Sequence, residues 1–166
     1  MLTVEFIVAW SMPEIRAGGP SGLVSFHMSV GLLVLFVALI RFRWRLSHKA
    51  PVSPEGTPKW QEIASRVMHY ALYASIIAMP LAGWAWASAR GWDITLFSFL
   101  SLPPILAVGS TLGSLAGGLH EFFATVILVL VGGHVVMALY HWKIVKDGVM
   151  ERMLFTKQTE SINDIH

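Results

Sequence analysis

The sequence predicts an all-α fold: an integral membrane protein, built as an up-down four-helix bundle with an incomplete first helix. The chain of 166 residues has a mean hydropathy of +0.62, and only 13% of its residues are charged. An average soluble domain carries about 25% charged residues, so this chain has too few polar side chains to cover a surface exposed to water. The composition therefore excludes intrinsic disorder, a nucleic-acid-binding domain and a typical soluble enzyme. The absence of cysteine further excludes disulfides, iron–sulfur or zinc sites with thiolate ligands, and c-type haem attachment.

Three apolar stretches, residues 22–40, 67–87 and 119–140, reach the roughly 20 residues that a helix needs to cross a bilayer. Residues 2–12 are also apolar but only about half as long, and they lack the basic start and the small-residue cleavage site of a signal peptide. We expect this segment to be the outer half of a transmembrane helix whose beginning is absent. Residues 1–166 then form a single transmembrane domain.

The basic residues are concentrated in two places, which predicts the topology. Six lie between the first and second full spans and four follow the last span, whereas each of the other two connections holds one, Arg16 or Arg90. By the positive-inside rule, the loop between the first two full spans and the C-terminal tail are cytoplasmic. The ten residues are Arg41, Arg43, Arg45, Lys49, Lys59, Arg66, Lys143, Lys146, Arg152 and Lys157.

Residues 88–118 are predicted to form an outer loop. The loop contains two matches to the GxxxG helix-packing pattern. One runs from Gly109 to Gly113 and the other from Gly113 to Gly117. In a loop so rich in glycine, we expect a flexible turn rather than packed helices. Nearby tryptophans are typical of the aromatic belt at the outer membrane interface; they are Trp84, Trp86 and Trp92.

Four histidines lie in the predicted spans: His27, His69, His120 and His134. Ionisable residues inside a membrane are costly and therefore indicate function. His120 and His134 are 14 residues apart, which is about 3.9 helical turns and a rise of about 21 Å, so both project from nearly the same face. One helix can thus offer an imidazole to each of two stacked b-type haems.

The depth of each histidine predicts its partner. His27 and His120 lie near the outer ends of two helices that both enter from outside, so we pair them across an outer haem. His134 lies on the cytoplasmic side and needs a different partner. His69 is at about the right depth, and the incomplete first helix is the other source of a ligand.

The polar residues in the spans also allow functions other than haem binding. A lone histidine in a span is often a hydrogen-bonding partner between helices. A metal transporter is disfavoured because we expect no acidic partner in the spans, where Glu121, at a boundary, is the only interior-facing candidate. Arg41, at the cytoplasmic edge, is either a topology signal alone or a partner for a haem propionate.

Several segments, taken in order over residues 21–156, resemble a known family, the bacterial di-haem cytochrome b-561. This family shares its four-helix fold with the cytochrome b subunits of hydrogenases. The segments are His27-Met-Ser-Val-Gly31, His69-Tyr-Ala-Leu-Tyr73, Met79-Pro-Leu-Ala-Gly-Trp84, Leu102-Pro-Pro104, His120-Glu121, His134 and the tail from Lys146 to Met153.

The resemblance implies two b-type haems in the bacterial cytoplasmic (inner) membrane, which pass electrons to or from quinone. By the family pattern, His27 and His120 ligate the outer haem, and His134 ligates the inner one. His69 then has a role beside the inner haem or a quinone rather than as a ligand. In family members the fourth ligand is a histidine, usually followed by tryptophan, on the inner half of the first helix, and this chain begins beyond that position.

We therefore predict a membrane electron carrier or quinone-linked oxidoreductase that moves electrons between an outer donor and quinone. Two histidine ligands fill both axial positions of the iron, which disfavours oxygen binding and favours one-electron transfer. The expected partners are membrane lipid, quinone and a periplasmic electron donor, with a homodimer left open. The alternatives are a cytochrome b anchor subunit of a hydrogenase or dehydrogenase complex, and a haem-free structural bundle.

Overall fold

The computed structural model describes residues 1–12, 20–48 and 58–145. These residues form four helices and a short β-hairpin: α1 (Leu2–Ser11), α2 (Gly22–Ser47), α3 (Lys59–Ala89), β1 (Ile94–Leu96), β2 (Leu100–Leu102) and α4 (Leu112–Tyr140). A π-helical turn, His141–Val145, continues α4. The connection that contains Arg16, the linker 49–57 and the tail from Lys146 lie outside the described residues, and so do the predictions made for them.

The predicted helical membrane bundle is confirmed. Helices α2, α3 and α4 with its π-helical turn are long and apolar enough to cross a membrane, and α1 is a shorter apolar helix. Each long helix extends beyond its predicted apolar stretch: α2 continues to Ser47, α3 begins at Lys59 and α4 begins at Leu112. Hydropathy locates only the part of a helix that lies in hydrocarbon, whereas the arginine, lysine and glutamine residues in the added parts of α2 and α3 continue a helix well into the polar interface.

The helices pack in the order α1, α2, α3, α4, and α3 and α4 share the most extensive contact. At their interface Gly113 lies directly against Ala89, and a Cβ at Gly117 would lie 3.0 Å from Trp86 Nε1. The flexible turn predicted for Gly113–Gly117 is therefore wrong, because α4 already begins at Leu112 and presents both glycines to α3. Small residues at such positions let two helix backbones approach closely.

Many large apolar side chains of the described residues are exposed on the surface of the bundle. On α4, Phe122, Val129 and Val136 are 58%, 68% and 63% exposed. These three side chains are seven residues apart and so share one face of α4, and an exposed apolar face is suited to a hydrocarbon environment rather than to water. The interior of the bundle is correspondingly small, and the few buried polar side chains within it are easily identified.

The segment after α3, which was predicted to lie in an outer loop, contains an antiparallel hairpin in which Ile94 pairs with Leu102. Its turn places Phe97 and Ser98 at φ values of 46° and 64°. Ser29 of α2 fixes this turn: its hydroxyl accepts the Phe97 N–H at 3.0 Å and lies 2.9 Å from the Thr95 carbonyl. Because the Ser29 side chain is buried and lies two residues after His27, the hairpin is held against the end of the bundle that contains His27.

Candidate functional site

The four predicted histidines form two pairs, one toward each end of the bundle. The ring centroids of His27 and His120 are 6.0 Å apart with an interplanar angle of 86°. Those of His69 and His134 are 5.4 Å apart at 71°. We call the first the outer pair, because it lies at the hairpin end, and the second the inner pair. Of the two partners that the sequence left open for His134, the structure places His69 beside it.

The outer pair lies on the wall of a cavity of about 350 Å³. Cavities that hold small molecules and cofactors measure about 300–1,000 Å³ and are mostly apolar with a few polar groups. Here the walls come from α1, α2, α3, α4 and β1, and the polar groups include both outer histidines and two carboxylates, Glu5 and Glu121. The cavity is thus shaped by every helix of the bundle.

His120 is oriented by the backbone of α3. Its Nδ1 lies 3.0 Å from the Met79 carbonyl oxygen. A carbonyl oxygen only accepts hydrogen bonds, so Nδ1 carries the proton and donates it, and Nε2 keeps a free lone pair. Gly83, one turn beyond Met79, makes room for the ring, since a Cβ there would lie 2.8 Å from His120 Nδ1.

His27 is oriented by a residue that the sequence reasoning missed. Its Nδ1 contacts the carboxylate of Glu5 on α1, and Glu5 is only 4% exposed. The expectation of no interior acid other than Glu121 is therefore wrong, and the Glu121 side chain is itself exposed. The missed signal was a single carboxylate in an apolar helix, which is costly to place in a membrane without a partner.

The ring separation of the outer pair equals that expected of two imidazoles that share one iron. A metal–imidazole bond is about 2.0 Å long, so two imidazoles on opposite sides of one iron place their ring centroids about 6 Å apart. The separation of the outer pair, 6.0 Å, agrees with this value, and both Nδ1 atoms are turned toward oxygens of other helices. The inner pair, at 5.4 Å, is closer than two such ligands of one iron.

Tryptophans of the predicted aromatic belt also line the cavity: Trp84, Trp86 and Trp92. The Trp86 and His120 ring centroids are 6.3 Å apart. The exposed guanidinium of Arg90 lies 5.1 Å from the centroid of Trp86 and 4.9 Å from that of Trp92. A cation stacked on aromatic faces is held in place, so a fixed positive charge lies beside the outer pair.

At the other end of the bundle, the inner pair has fewer contacts. His69 is exposed and its Nδ1 lies 3.5 Å from the Ser65 hydroxyl, while His134 is half-buried. Arg41 donates from Nε to the Tyr73 hydroxyl at 3.2 Å, a contact that joins α2 to α3. The pairing of Arg41 with a haem propionate stays a prediction.

Comparison with known proteins agrees with this architecture. The family described as Prokaryotic cytochrome b561 matches residues 2–156. Cytochrome b561 homolog 2 of Escherichia coli K12 is 33% identical over 156 residues, which cover 93% of this chain and 77% of that protein. Cytochrome b561 homolog 1 of the same organism is 26% identical over 160 residues, with coverage of 92% and 90%.

A third relative carries a more specific name. The Probable superoxide oxidase CybB of Yersinia pestis is 27% identical over 157 residues, which cover 92% of this chain and 88% of that protein. The family match extends over nearly the whole described chain and includes both histidine pairs. The chain therefore belongs to the prokaryotic cytochrome b561 family, whose members are membrane electron-transfer proteins that carry haem b.

Proposed function

We propose that this protein moves electrons between a donor at its outer face and quinone, with His27 and His120 as the residues that would hold an outer b-type haem. The observation that carries the proposal is the outer pair itself: two imidazoles 6.0 Å apart on the wall of one cavity. Haem b bound there supplies a one-electron iron couple.

The residues around the outer pair have separate tasks in this proposal. Met79 holds His120 by its carbonyl oxygen, which leaves Nε2 as the ligating atom. Trp86 and Trp92 form apolar walls of the cavity and exclude water from it. A dry, apolar site favours the less charged state of a bound redox centre, so burial is one means by which these walls set its potential.

The proposal gives the inner pair a different task. His134 is the candidate ligand of a second, inner haem, as in the family pattern. His69 is a neighbour of that site, because its ring is too close to that of His134 for the two to ligate opposite sides of one iron.

The test is the haem content of the purified protein and of two ligand variants. We expect the protein to show the sharp α-band of b-type haem in a reduced-minus-oxidised spectrum, and H27A and H120A each to lose one haem per chain. H48A is the matched control, since His48 stacks on Trp44 at the end of α2 that is opposite to His27. A colourless wild-type protein, or an unchanged haem content in H27A and H120A, would refute the proposal.

Superoxide is the outer donor that we favour, because one relative is named a probable superoxide oxidase. Arg90 supports this choice, since its cation is held over Trp86 beside the outer pair and attracts anions. In such a reaction two superoxide ions leave as dioxygen, and their two electrons with two protons reduce one quinone to quinol.

The donor is tested in liposomes that contain the protein and quinone. We expect superoxide to disappear in step with quinol formation, and R90Q to slow the second-order rate several-fold at low salt and less at high salt. Quinol formation that does not depend on superoxide, together with co-purification of a large peripheral subunit, would instead support the role of an anchor subunit in a dehydrogenase complex.

A further inference from the structure

Glu5 is the buried acid of the α1 helix. It is 4% exposed, and its carboxylate contacts His27 Nδ1. In the part of the chain that the structure describes, neither Glu5 oxygen nor His27 Nδ1 has a polar partner other than this contact. Burying a carboxylate in an apolar environment costs several kcal/mol unless it is paired, so a carboxylate at this position requires a reason.

The environment of His120 indicates what that reason is. His120 presents its Nδ1 to an oxygen of another helix, the Met79 carbonyl, and His27 presents its Nδ1 to an oxygen of Glu5. The two outer rings therefore share one arrangement, in which Nδ1 faces a hydrogen-bond acceptor and Nε2 is left for a metal. The acceptors differ in charge, because one is a neutral carbonyl and the other is a carboxylate.

We propose that Glu5 is a positioning residue of the outer site: it accepts the Nδ1–H of His27, fixes the tautomer that offers Nε2, and makes His27 the more electron-donating ligand of the pair. The inference rests on the proposed function, since it takes His27 as a haem ligand. An acceptor on the far nitrogen of a ligating histidine orients the ring and raises its basicity. A carboxylate does so more strongly than a carbonyl, which stabilises ferric iron and lowers the reduction potential.

The experiment compares variants of the full-length protein in detergent, by haem content, redox titration and electron paramagnetic resonance (EPR) of the ferric state. E5Q keeps an acceptor of nearly the same shape without the charge, so we expect full haem content and a higher potential for the outer haem. The expected shift is about a tenfold rise in the ferrous-to-ferric ratio at a fixed potential, which is about 59 mV for one electron. E5L removes the acceptor, so we expect broadened EPR signals from a ring with no fixed orientation, and partial haem loss.

The matched control is E121Q, which removes a carboxylate from the same cavity wall without touching His27. We expect it to shift the potential much less than E5Q and to leave the EPR signals unchanged. E5D, which keeps the charge with a shorter reach, should keep the low potential with altered EPR signals. If E5Q does not fold, the potential of E5D is the test instead. A potential in E5D as high as that of a haem whose histidines contact only neutral groups would count against a role of the Glu5 charge.

The outcomes separate the two proposals. If E5Q and E5L bind haem with the potential and EPR signals of the wild-type protein, Glu5 has no role at the ligand and this inference is overturned, while the proposed function stands. If the wild-type protein binds no haem, or if H27A keeps the outer haem, the proposed function fails and the inference about Glu5 fails with it.

Discussion

Gly83 on α3 lies directly beneath the His120 imidazole of α4: a Cβ at Gly83 would lie 2.8 Å from Nδ1 and 3.0 Å from Cε1 of that ring. The same ring reaches the Met79 carbonyl, one turn earlier on α3. The missing side chain and the carbonyl therefore act together. The absence of a side chain at Gly83 leaves space for the imidazole, and the Met79 carbonyl accepts a hydrogen bond from its Nδ1.

Gly83→Ala should therefore weaken haem binding at the outer site. The added methyl group cannot be accommodated unless His120 moves, and a moved ring loses its hydrogen bond to Met79. Loss of such a supporting contact typically costs about 10–100-fold in metal affinity. Haem titration of the purified variant measures the change.

The control for this prediction is Gly118→Ala on α4, where nothing lies within 4 Å of an added Cβ. Alanine is favoured over glycine in a helix by about 1 kcal/mol, so this variant should bind haem normally and be as stable as the wild-type protein or more so. Equal haem affinity in G83A and G118A would show that the close approach at Gly83 has no functional importance.

The contact of Gly113 with Ala89 makes a prediction about stability rather than about haem. Gly113→Ala should lower the free energy of unfolding by about 1–3 kcal/mol, the usual cost of overpacking a tight interface, because two methyl groups would meet between α3 and α4. Thermal unfolding in detergent gives the measurement. Gly132→Ala is the control, as its Cβ would meet nothing within 4 Å, and an equally large loss there would mean that glycine content rather than packing matters.

Ser29 is predicted to stabilise the hairpin. Ser29→Ala leaves the Phe97 N–H and the Thr95 carbonyl without the hydroxyl that lies 3.0 Å and 2.9 Å from them. Loss of a hydrogen bond costs about 0.5–1.5 kcal/mol, so hydrogen exchange at Phe97 should become faster. Ser114→Ala removes only a bond within α4 to the Thr111 carbonyl and should leave exchange at Phe97 unchanged; unchanged exchange in S29A itself would contradict the prediction.

The sequence predicts position along the membrane normal much better than it predicts which helix faces meet. Hydropathy located three spans, and depth alone selected His27 and His120 as partners, which the structure brings within 6.0 Å. Depth reflects the hydrophobic effect and the fixed rise of a helix, and both can be read from a single segment. The same argument gave His69 only as one of two possible partners of His134, because depth does not determine the rotation of a helix.

Three features of the fold could not be predicted from the sequence and became visible only in the packed structure. Gly113 packs against α3 because α4 begins earlier than its apolar stretch, and helix ends depend on local hydrogen bonding rather than on hydropathy. The hairpin depends on one side chain of a distant helix, Ser29. Glu5 was visible in the sequence as a lone acid in an apolar segment, but its partner His27 lies on another helix, and nothing in the spacing of the two connects them.

The outer and inner histidine pairs are predicted to act as independent sites. His120 and His134 are separated by about 21 Å along α4, so a change at the inner end should not reach the outer ring. His134→Ala should remove the inner haem and leave the α-band and potential of the outer haem unchanged. His69→Ala should keep the haem content, because its ring is too close to that of His134 to share an iron with it. Redox titration of the two variants and the wild-type protein resolves the two haems, and equal haem loss in H69A and H134A would instead make His69 a ligand.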